Sequence, residues 1–347
     1  MIADTTRGHS EPRTRDDAAI VCGIGHWLPP CVVTNADLCA RLDTTEEWIS
    51  SRTGIASRRM ATDGITTSRL AVEAGTRALD SAGGDDVQAL VLATTTPDRP
   101  CPATAPDVAA RLGLTGIAAF DVSAVCTGFL YGLATAAGFI SSGIADRVLV
   151  VAAETFTTLL DPRDRTTVPI FGDGAGAVVL RRGSSGEPGA IGPIVLGSDG
   201  ALSDLITVDS SPQDSTEAAP GARRGYFRMR GREVFRLAVR RMSEAATAAA
   251  AAAGWRLDEV DRLVAHQANA RILSAVAAEL GIAGDRIARN IQEVGNTAGA
   301  SIPILLSQAA ADGSLTPDDR VLLTAFGGGL TWGATTMTWP LLKLSPA

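Results

Sequence analysis

One stretch constrains the fold of this chain more than any other: residues 122–145 carry no charged side chain. This run, bounded by Asp121 and Asp146, is long enough either to form a buried helix or to span a bilayer. It is rich in Gly, Ala, Ser and Thr, and the strand-like sequence of residues 147–151 follows it directly. Small residues suit close helix packing inside a protein, so we expect a buried central helix rather than a membrane span.

A cysteine lies at the start of this run. Residues 117–122 have the apolar pattern of a strand, and Cys126 follows where the strand gives way to the helix. Free N–H groups and the positive end of the helix dipole at such a junction favour a thiolate, so we expect a lowered thiol pKa. Cys126 is therefore a candidate nucleophile, with a buried structural cysteine as the alternative.

The composition limits the classes of function. At 347 residues and 46% hydrophobic content, the chain is large enough for two domains, and its net charge of −7 argues against non-specific nucleic-acid binding. Its five cysteines form no Cys-x-x-Cys pair, so neither a zinc ribbon nor a redox motif is supported. An odd cysteine count without a recognisable signal peptide favours the cytoplasm. We expect a cytoplasmic protein with no nucleic-acid or membrane partner.

Strand-like and helix-like segments alternate in both halves of the chain, which predicts an α/β protein with mainly parallel sheets. The predicted divisions are a disordered arm (residues 1–17) and a first half (residues 18–183). A junction rich in Gly, Ser and Pro (residues 184–192) follows, and its end overlaps the start of the second half (residues 190–347). Three local features are also predicted. Residues 171–177 form a tight turn rather than a phosphate loop, residues 197–225 form an irregular excursion, and residues 290–294 form a short strand.

Three further candidates lie at strand ends or loop-to-helix junctions in the second half: His266, Asn296 and the glycine run 327–329. In open α/β sheets such ends converge on one crevice. Histidine can relay a proton or donate a hydrogen bond, asparagine is a neutral donor or acceptor, and amides at a glycine turn can hold an oxyanion. The structural alternatives are a core histidine, a helix cap and a simple turn.

Five motifs, DVSAVCTGF, FGDGAGA, HQANARI, GNTAGAS and AFGGGLTWG, together resemble the β-ketoacyl-acyl-carrier-protein synthase III family across nearly all of residues 19–340. The resemblance implies the thiolase fold, with two similar βα-rich halves in five αβαβα layers, and a homodimer. It implies that Cys126 is the nucleophile and that His266 and Asn296 complete a catalytic triad. The amides of Cys126 and Gly328 would form the oxyanion hole.

The activity implied by this resemblance is that of an acyltransferase of the ketosynthase type. Cys126 would take an acyl group from an acyl-CoA primer, and the enolate formed by decarboxylation of a malonyl acyl carrier protein would attack it, initiating fatty acid or aromatic polyketide biosynthesis. Both thioesters are substrates, so no metal or other cofactor is implied. Acyl transfer from Cys126 to an alcohol or amine, without decarboxylation, is the enzymatic alternative. A non-catalytic partner subunit is the other alternative, and it predicts a damaged triad.

The resemblance also assigns binding residues. It implies that CoA is contacted by Trp48, Arg52, Arg165, Phe235 and Asn269. It implies that Cys101 and Phe326 belong to the acyl pocket. The carrier protein would contact Arg236 and Arg271. Acetyl-using members carry a bulky aromatic residue at the Cys101 position, which reaches into the partner subunit's pocket, so we expect a primer longer than acetyl. Ala278 and Glu279 replace lysines common in the fatty-acid enzyme, which leaves the choice of carrier protein open.

Overall fold

The computed structural model describes residues 17–62, 64–208 and 225–344. Residues 1–16 of the predicted arm and residues 209–224 of the predicted excursion lie outside the described residues. Asp17, which the sequence analysis assigned to the arm, instead begins the first strand, where it pairs with Ser184. The arm prediction is therefore wrong at this residue, because the strand extends one position further than its apolar pattern.

Two main sheets and two two-stranded sheets account for the strands of the described residues. The strands are β1 (Asp17–Trp27), β2 (Cys31–Thr34), β3 (Ser57–Met60), β4 (Ala89–Ala93), β5 (Ala118–Val122), β6 (Arg147–Glu154), β7 (Gly174–Ser184), β8 (Val195–Ser198), β9 (Ile206–Val208), β10 (Phe227–Met229), β11 (Arg262–Ala265), β12 (Arg320–Gly327) and β13 (Thr331–Thr338). The α-helices are α1 (Asn35–Cys39), α2 (Glu46–Thr53), α3 (Thr67–Ala82), α4 (Ala105–Arg111), α5 (Gly128–Ser142), α6 (Gly231–Ala252), α7 (Ala270–Leu280), α8 (Ile291–Val294) and α9 (Ser301–Asp312).

The two main sheets are mixed rather than mainly parallel. The first has the order β1-β7-β6-β4-β5, in which β6, β4 and β5 are parallel while β1 and β7 pair antiparallel. The second has the order β11-β12-β13-β8, in which only β11 and β12 are parallel. The prediction of mainly parallel sheets is wrong for two reasons: a short turn makes β12 and β13 antiparallel, and strands distant in sequence form the other antiparallel pairs.

The layers alternate between helices and sheets, as the thiolase fold requires. Helices α3 and α4 pack on the outer face of the first sheet, α5 and α9 lie between the two sheets, and α6 and α7 cover the outer face of the second. The strands of the first sheet lie between residues 17 and 184, and those of the second between 195 and 338. We propose that the two halves meet at the predicted junction, which this distribution supports.

Helix boundaries follow local sequence signals. Thr45 and Thr66 cap α2 and α3 by accepting hydrogen bonds from backbone N–H groups of the first turn. Gly54 and Gly83 follow these helices with φ near +75°, a conformation that glycine adopts without steric cost. Helix α3 buries one apolar face, which consists of Leu70, Ala71, Ala74, Ala78 and Leu79.

The uncharged run forms the central helix α5, as predicted. The segment Val125–Ser142 is the one helical segment among the described residues that could cross a membrane by length and composition alone. Of this segment 44% is buried, and α5 contacts β4 and β6 of the first sheet and β13 of the second. Packing between the sheets therefore accounts for its apolar sequence.

Two local predictions are wrong. The glycines at 174 and 176 lie in β7 rather than in a tight turn, and a Cβ added to Gly176 would come within 2.6 Å of the Ile304 backbone nitrogen in α9. This glycine therefore permits a close helix–sheet approach. The strand predicted at residues 290–294 is the short helix α8, because an apolar run this short does not distinguish a strand from a helix by periodicity.

Candidate active site

Cys126 is presented by a strained turn between β5 and α5. Residues Val125–Thr127 form a single 3-10 turn, and Val125 adopts a φ of +47°, which is costly for a β-branched residue. The turn is fixed by Thr127, whose backbone N–H and hydroxyl both donate to the Ala124 carbonyl at 3.0 and 2.6 Å. Strain of this kind is found at functional sites that the surrounding structure holds in place.

The backbone and Cβ of Cys126 lie against the end of β12. A Cβ added to Gly327 would be 2.8 Å from the Cys126 backbone nitrogen and 3.0 Å from the Cys126 Cβ, so glycine alone allows this approach. Burial raises the pKa of the Cys126 thiol, and the nearby carboxylate of Glu154 raises it further. The predicted lowering of this pKa is therefore wrong: loss of solvation and a neighbouring acid outweigh the helix N-terminus.

His266 directly follows β11 and is almost completely buried, with 2% of its surface exposed. Its backbone N–H donates to the Thr324 carbonyl at 2.9 Å, and its Nδ1 lies 2.7 Å from the Ser301 hydroxyl. Burial lowers the pKa of His266 to about 3, so the imidazole is neutral near pH 7. It can therefore act as a neutral hydrogen-bonding group. The helix that follows, α7, begins at Ala270.

Asn296 lies in the loop between α8 and α9. Its backbone N–H donates to the Ile170 carbonyl at 2.9 Å, and its carbonyl accepts from the Gly172 N–H at 3.0 Å. The side-chain Oδ1 accepts from the Ala298 N–H at 2.9 Å. Because Oδ1 is engaged in this way, the Nδ2 amide is the group that remains to donate elsewhere.

One cavity of about 400 Å³ brings the three side chains together. Seven residues that the sequence analysis named as site candidates line it: Cys126, Phe235, His266, Asn269, Asn296, Phe326 and Gly327. Much of the remaining wall is apolar. A thiol and two neutral polar groups in an apolar pocket form an arrangement that suits acyl transfer through a covalent intermediate.

The residues predicted to hold CoA adjoin the cavity wall. The Arg165 guanidinium lies 5.4 Å from the centre of the Trp48 ring, and the cavity-lining residues Thr166 and Thr167 follow Arg165 directly. The Arg52 carbonyl accepts a hydrogen bond from Asn269 Nδ2 at 3.0 Å, which joins α2 to the cavity wall. The structure therefore brings Trp48, Arg52 and Arg165 next to the cavity, although none lines it.

Four other predicted residues lie outside the cavity lining. Cys101 is exposed in the loop between β4 and α4. A Cβ at Gly328 would lie 3.3 Å from Val125 Cγ2, so this glycine packs beside the cysteine turn. Arg271 lies 6.0 Å from the Phe235 ring, and Arg236 lines a separate surface groove along α6.

Two features of the site were missed by sequence reasoning. Phe156, Phe171 and Phe227 line the cavity as an aromatic cluster, with ring centres 4.5 to 5.2 Å apart. They come from three separate segments, so no local pattern indicates their contact. Glu154 is fully buried, accepts hydrogen bonds from the Thr95 N–H and the Thr96 hydroxyl, and has its pKa raised to about 7 by burial. In the sequence, the one signal for Glu154 is its position as a carboxylate at the end of the apolar strand β6.

Among the described residues, the structure contains no group of three or more His, Cys, Asp or Glu side chains placed to hold a metal ion.

The pKa of His266 predicts a pH-dependent stability. Below pH 6.5 His266 is protonated in the unfolded chain, whereas in the folded protein it stays neutral down to about pH 3. The free energy of unfolding therefore falls as the pH falls through this window. At pH 5 this costs about 2 kcal/mol relative to pH 8. Urea unfolding of wild type and His266→Gln should therefore show a stability difference that shifts by about 2 kcal/mol in favour of the variant at pH 5. A pH-independent difference would contradict a neutral buried imidazole.

Comparison with known proteins gives consistent matches along the chain. Residues 120–200 match the family model described as 3-oxoacyl-[acyl-carrier-protein] synthase III, and residues 250–339 match the model of its C-terminal part. The β-ketoacyl-[acyl-carrier-protein] synthase III 3 of Streptomyces coelicolor is 58% identical over 327 residues, covering 93% of this chain and 98% of the relative.

Two solved structures extend the likeness to the fold. The 3-oxoacyl-(acyl carrier protein) synthase III of Pseudomonas aeruginosa is 48% identical, with a TM-score of 0.89 over 95% of this chain and 100% of that one. A priming β-ketosynthase from a polyketide biosynthetic pathway is 35% identical, with a TM-score of 0.89 over 95% of this chain and 99% of that one.

Proposed function

The chain belongs to the 3-oxoacyl-[acyl-carrier-protein] synthase III family, and we propose that it condenses an acyl-CoA primer with malonyl acyl carrier protein through an acyl-Cys126 intermediate. It is an acyltransferase of the ketosynthase type with the thiolase fold. One observation carries the assignment of roles: Cys126, His266 and Asn296 line the same cavity, although they come from three distant parts of the chain.

The first half-reaction is thioester exchange at Cys126. The sulfur attacks the carbonyl carbon of the acyl-CoA, and the C–S bond to CoA breaks. The proton of the Cys126 thiol is transferred overall to the CoA sulfur, which leaves as free CoA. The backbone amides of Cys126 and Gly328 stabilise the negative charge on the tetrahedral intermediate, the role of an oxyanion hole.

The second half-reaction forms the carbon–carbon bond. The C–C bond to the malonyl carboxylate breaks, carbon dioxide leaves, and the electron pair moves into the thioester as an enolate. His266 and Asn296 donate hydrogen bonds to the enolate oxygen, where neutral donors stabilise the developing charge better than a carboxylate would. The enolate carbon attacks the acyl-Cys126 carbonyl and releases the cysteine sulfur, which regains a proton from solvent.

The substrates are held by surfaces around the cavity. Trp48 and Arg52 on α2, together with Arg165, bind the nucleotide part of CoA, because an aromatic face and cations suit adenine and phosphate. Phe235 and Asn269 line the path of its arm. Arg236 and Arg271 contact the acidic carrier protein. No metal or redox group takes part in these steps.

The primer and the assembly follow from two surface features. Cys101 is smaller than the aromatic residue of acetyl-using relatives, so the partner's acyl pocket accepts a primer longer than acetyl, with Phe326 in its wall. The likeness to a polyketide priming enzyme supports this choice.

Strand β5 lies at the edge of the first sheet, and Phe120 on it is only half-buried, against Phe139. A second copy pairing along β5 would complete the sheet as a homodimer, in the cytoplasm.

The proposal is tested by supplying the purified protein with a panel of acyl-CoAs and then with malonyl acyl carrier protein. We expect carbon dioxide release and a 3-oxoacyl product, with the highest rate for a primer longer than acetyl. Consumption of the acyl-enzyme by an alcohol or amine, without carbon dioxide release, would instead establish an acyltransferase of the non-decarboxylating kind. Fastest turnover with acetyl-CoA would contradict the primer assignment.

A further inference from the structure

The hydrogen bonds around His266 carry one further inference, which rests on the proposed function. We infer that Ser301 is a positioning residue: its hydroxyl holds His266 in the tautomer with the proton on Nε2, and so makes the imidazole a hydrogen-bond donor toward the cavity. Neither the proposed triad nor the proposed oxyanion hole includes Ser301.

The two side chains form a buried pair. Ser301 begins α9 and His266 follows β11, and each has 2% of its surface exposed. The Ser301 Oγ lies 2.7 Å from His266 Nδ1. It also accepts the Gln267 backbone N–H at 3.3 Å. The serine is therefore held from both sides.

The single proton of the hydroxyl decides the direction of the short bond. Because Ser301 Oγ accepts from Gln267, its own proton needs an acceptor, and within the described part of the chain the structure shows only His266 Nδ1 in that position. If Nδ1 carried the proton, two donors would face each other or the serine proton would be buried without an acceptor. Both arrangements are unfavourable, so Nδ1 accepts and Nε2 carries the proton of the neutral ring.

The surroundings prevent the ring from relaxing out of this arrangement. His266 is tied through its backbone to Thr324, and the fully buried Gln267 side chain bridges the Ala265 carbonyl and the Asn290 N–H. Burial lowers the pKa of His266 to about 3, which excludes the doubly protonated ring near neutral pH.

Asn296 is oriented by the same logic, since its Oδ1 is engaged by the Ala298 N–H and its Nδ2 is left to donate. The start of α9 and the turn before it therefore set both donors. An imidazole with its proton on Nε2 can donate a hydrogen bond to an enolate oxygen, but its Nε2 cannot accept the Cys126 proton. The decarboxylation step should accordingly depend on Ser301 much more than the acylation step does.

The chain contains a matched control for this pair. His26 Nδ1 lies 2.8 Å from the hydroxyl of Ser307, which is also on α9, and neither residue lines the cavity. Burial lowers the pKa of His26 to about 4, so both imidazoles are neutral near pH 7. Ser307→Ala therefore removes a serine–histidine hydrogen bond of the same kind without touching the proposed site.

The tautomer is measured directly by nitrogen-15 NMR of the histidine side chains. The sequence has only three histidines, so His266→Gln and His26→Gln assign the signals. In the wild type at pH 7.5 we expect the His266 signals of a neutral ring protonated on Nε2. Ser301→Ala should shift them toward a mixture of tautomers, while Ser307→Ala should leave them unchanged. Wild-type His266 protonated on Nδ1 would overturn the inference, whatever the variants do.

The kinetic consequence is measured by following the two half-reactions separately. Ser301→Ala should lower carbon dioxide release from malonyl acyl carrier protein by about 10- to 100-fold and change acylation of Cys126 by less than about 3-fold. Ser301→Thr keeps a hydroxyl and should restore most of the lost rate, and Ser307→Ala should match wild type. An equal loss in both half-reactions would assign Ser301 a merely structural role. A wild type that releases no carbon dioxide would instead contradict the proposed function and leave the NMR result standing.

Discussion

Replacing Asn296 with aspartate is expected to lower the rate of condensation by about 1000-fold or more, while Cys126 still takes up the acyl group. The two side chains have the same shape, and Oδ1 of the aspartate can still accept the Ala298 N–H. The other oxygen, however, places negative charge where the wild type presents an N–H donor to the enolate. Loss of a donor alone costs about 100- to 1000-fold, and repulsion adds to it.

This prediction separates the two half-reactions. Acylation is measured as the mass added to the protein by acyl-CoA, and condensation as carbon dioxide released after malonyl acyl carrier protein is added. Asn290→Asp makes the same chemical change at a residue that does not line the cavity, and it should retain both steps. Condensation by Asn296→Asp within about 10-fold of wild type would contradict the proposed role of the amide.

Replacing Gly327 with alanine is expected to slow acylation as well as condensation, by at least about 100-fold each. The new Cβ would lie 2.8 Å from the backbone nitrogen and 3.0 Å from the Cβ of Cys126. Neither atom belongs to the flexible end of a side chain, and the strained Val125 leaves the turn little freedom. The nucleophile and its amide must therefore move away from the bound thioester.

The effect of Gly327→Ala should be local. Gly284→Ala provides the control, because a Cβ there meets nothing within 4 Å and its φ is not positive, so this variant should keep full activity. Acyl-CoA labelling followed over time distinguishes slow acylation from a lost site. Wild-type acylation rates in Gly327→Ala would show that the close approach at Cys126 does not set the position of the sulfur.

Local signals in the sequence predicted much of the fold. The buried central helix α5 was predicted correctly, because the uncharged run that forms it is continuous in the sequence. Pairing between distant strands was not, since β7 joins β1 and β6 in an antiparallel arrangement that no local pattern specifies. The glycines of β7 have the sequence pattern of a turn, and the contact that requires Gly176 lies in α9, far away in sequence.

The motifs predicted which residues lie together better than elementary chemistry predicted their pKa values. The resemblance singled out Cys126, His266 and Asn296, and the structure places all three in one cavity. The pKa of Cys126 was predicted in the wrong direction, because burial and Glu154 depend on the folded structure. Ser301 stood inside a recognised motif without a role, since only the folded structure shows its hydroxyl beside His266.

The most direct test of the central claim is mass spectrometry of the protein after incubation with acyl-CoA, with peptide mapping of the added mass. We expect one acyl group per chain, located on Cys126, and its complete loss when malonyl acyl carrier protein is added, with a 3-oxoacyl product and carbon dioxide in equal amounts. Cys126→Ala should take up no acyl group. Acyl transfer onto another residue, or an unlabelled wild type, would contradict Cys126 as the nucleophile.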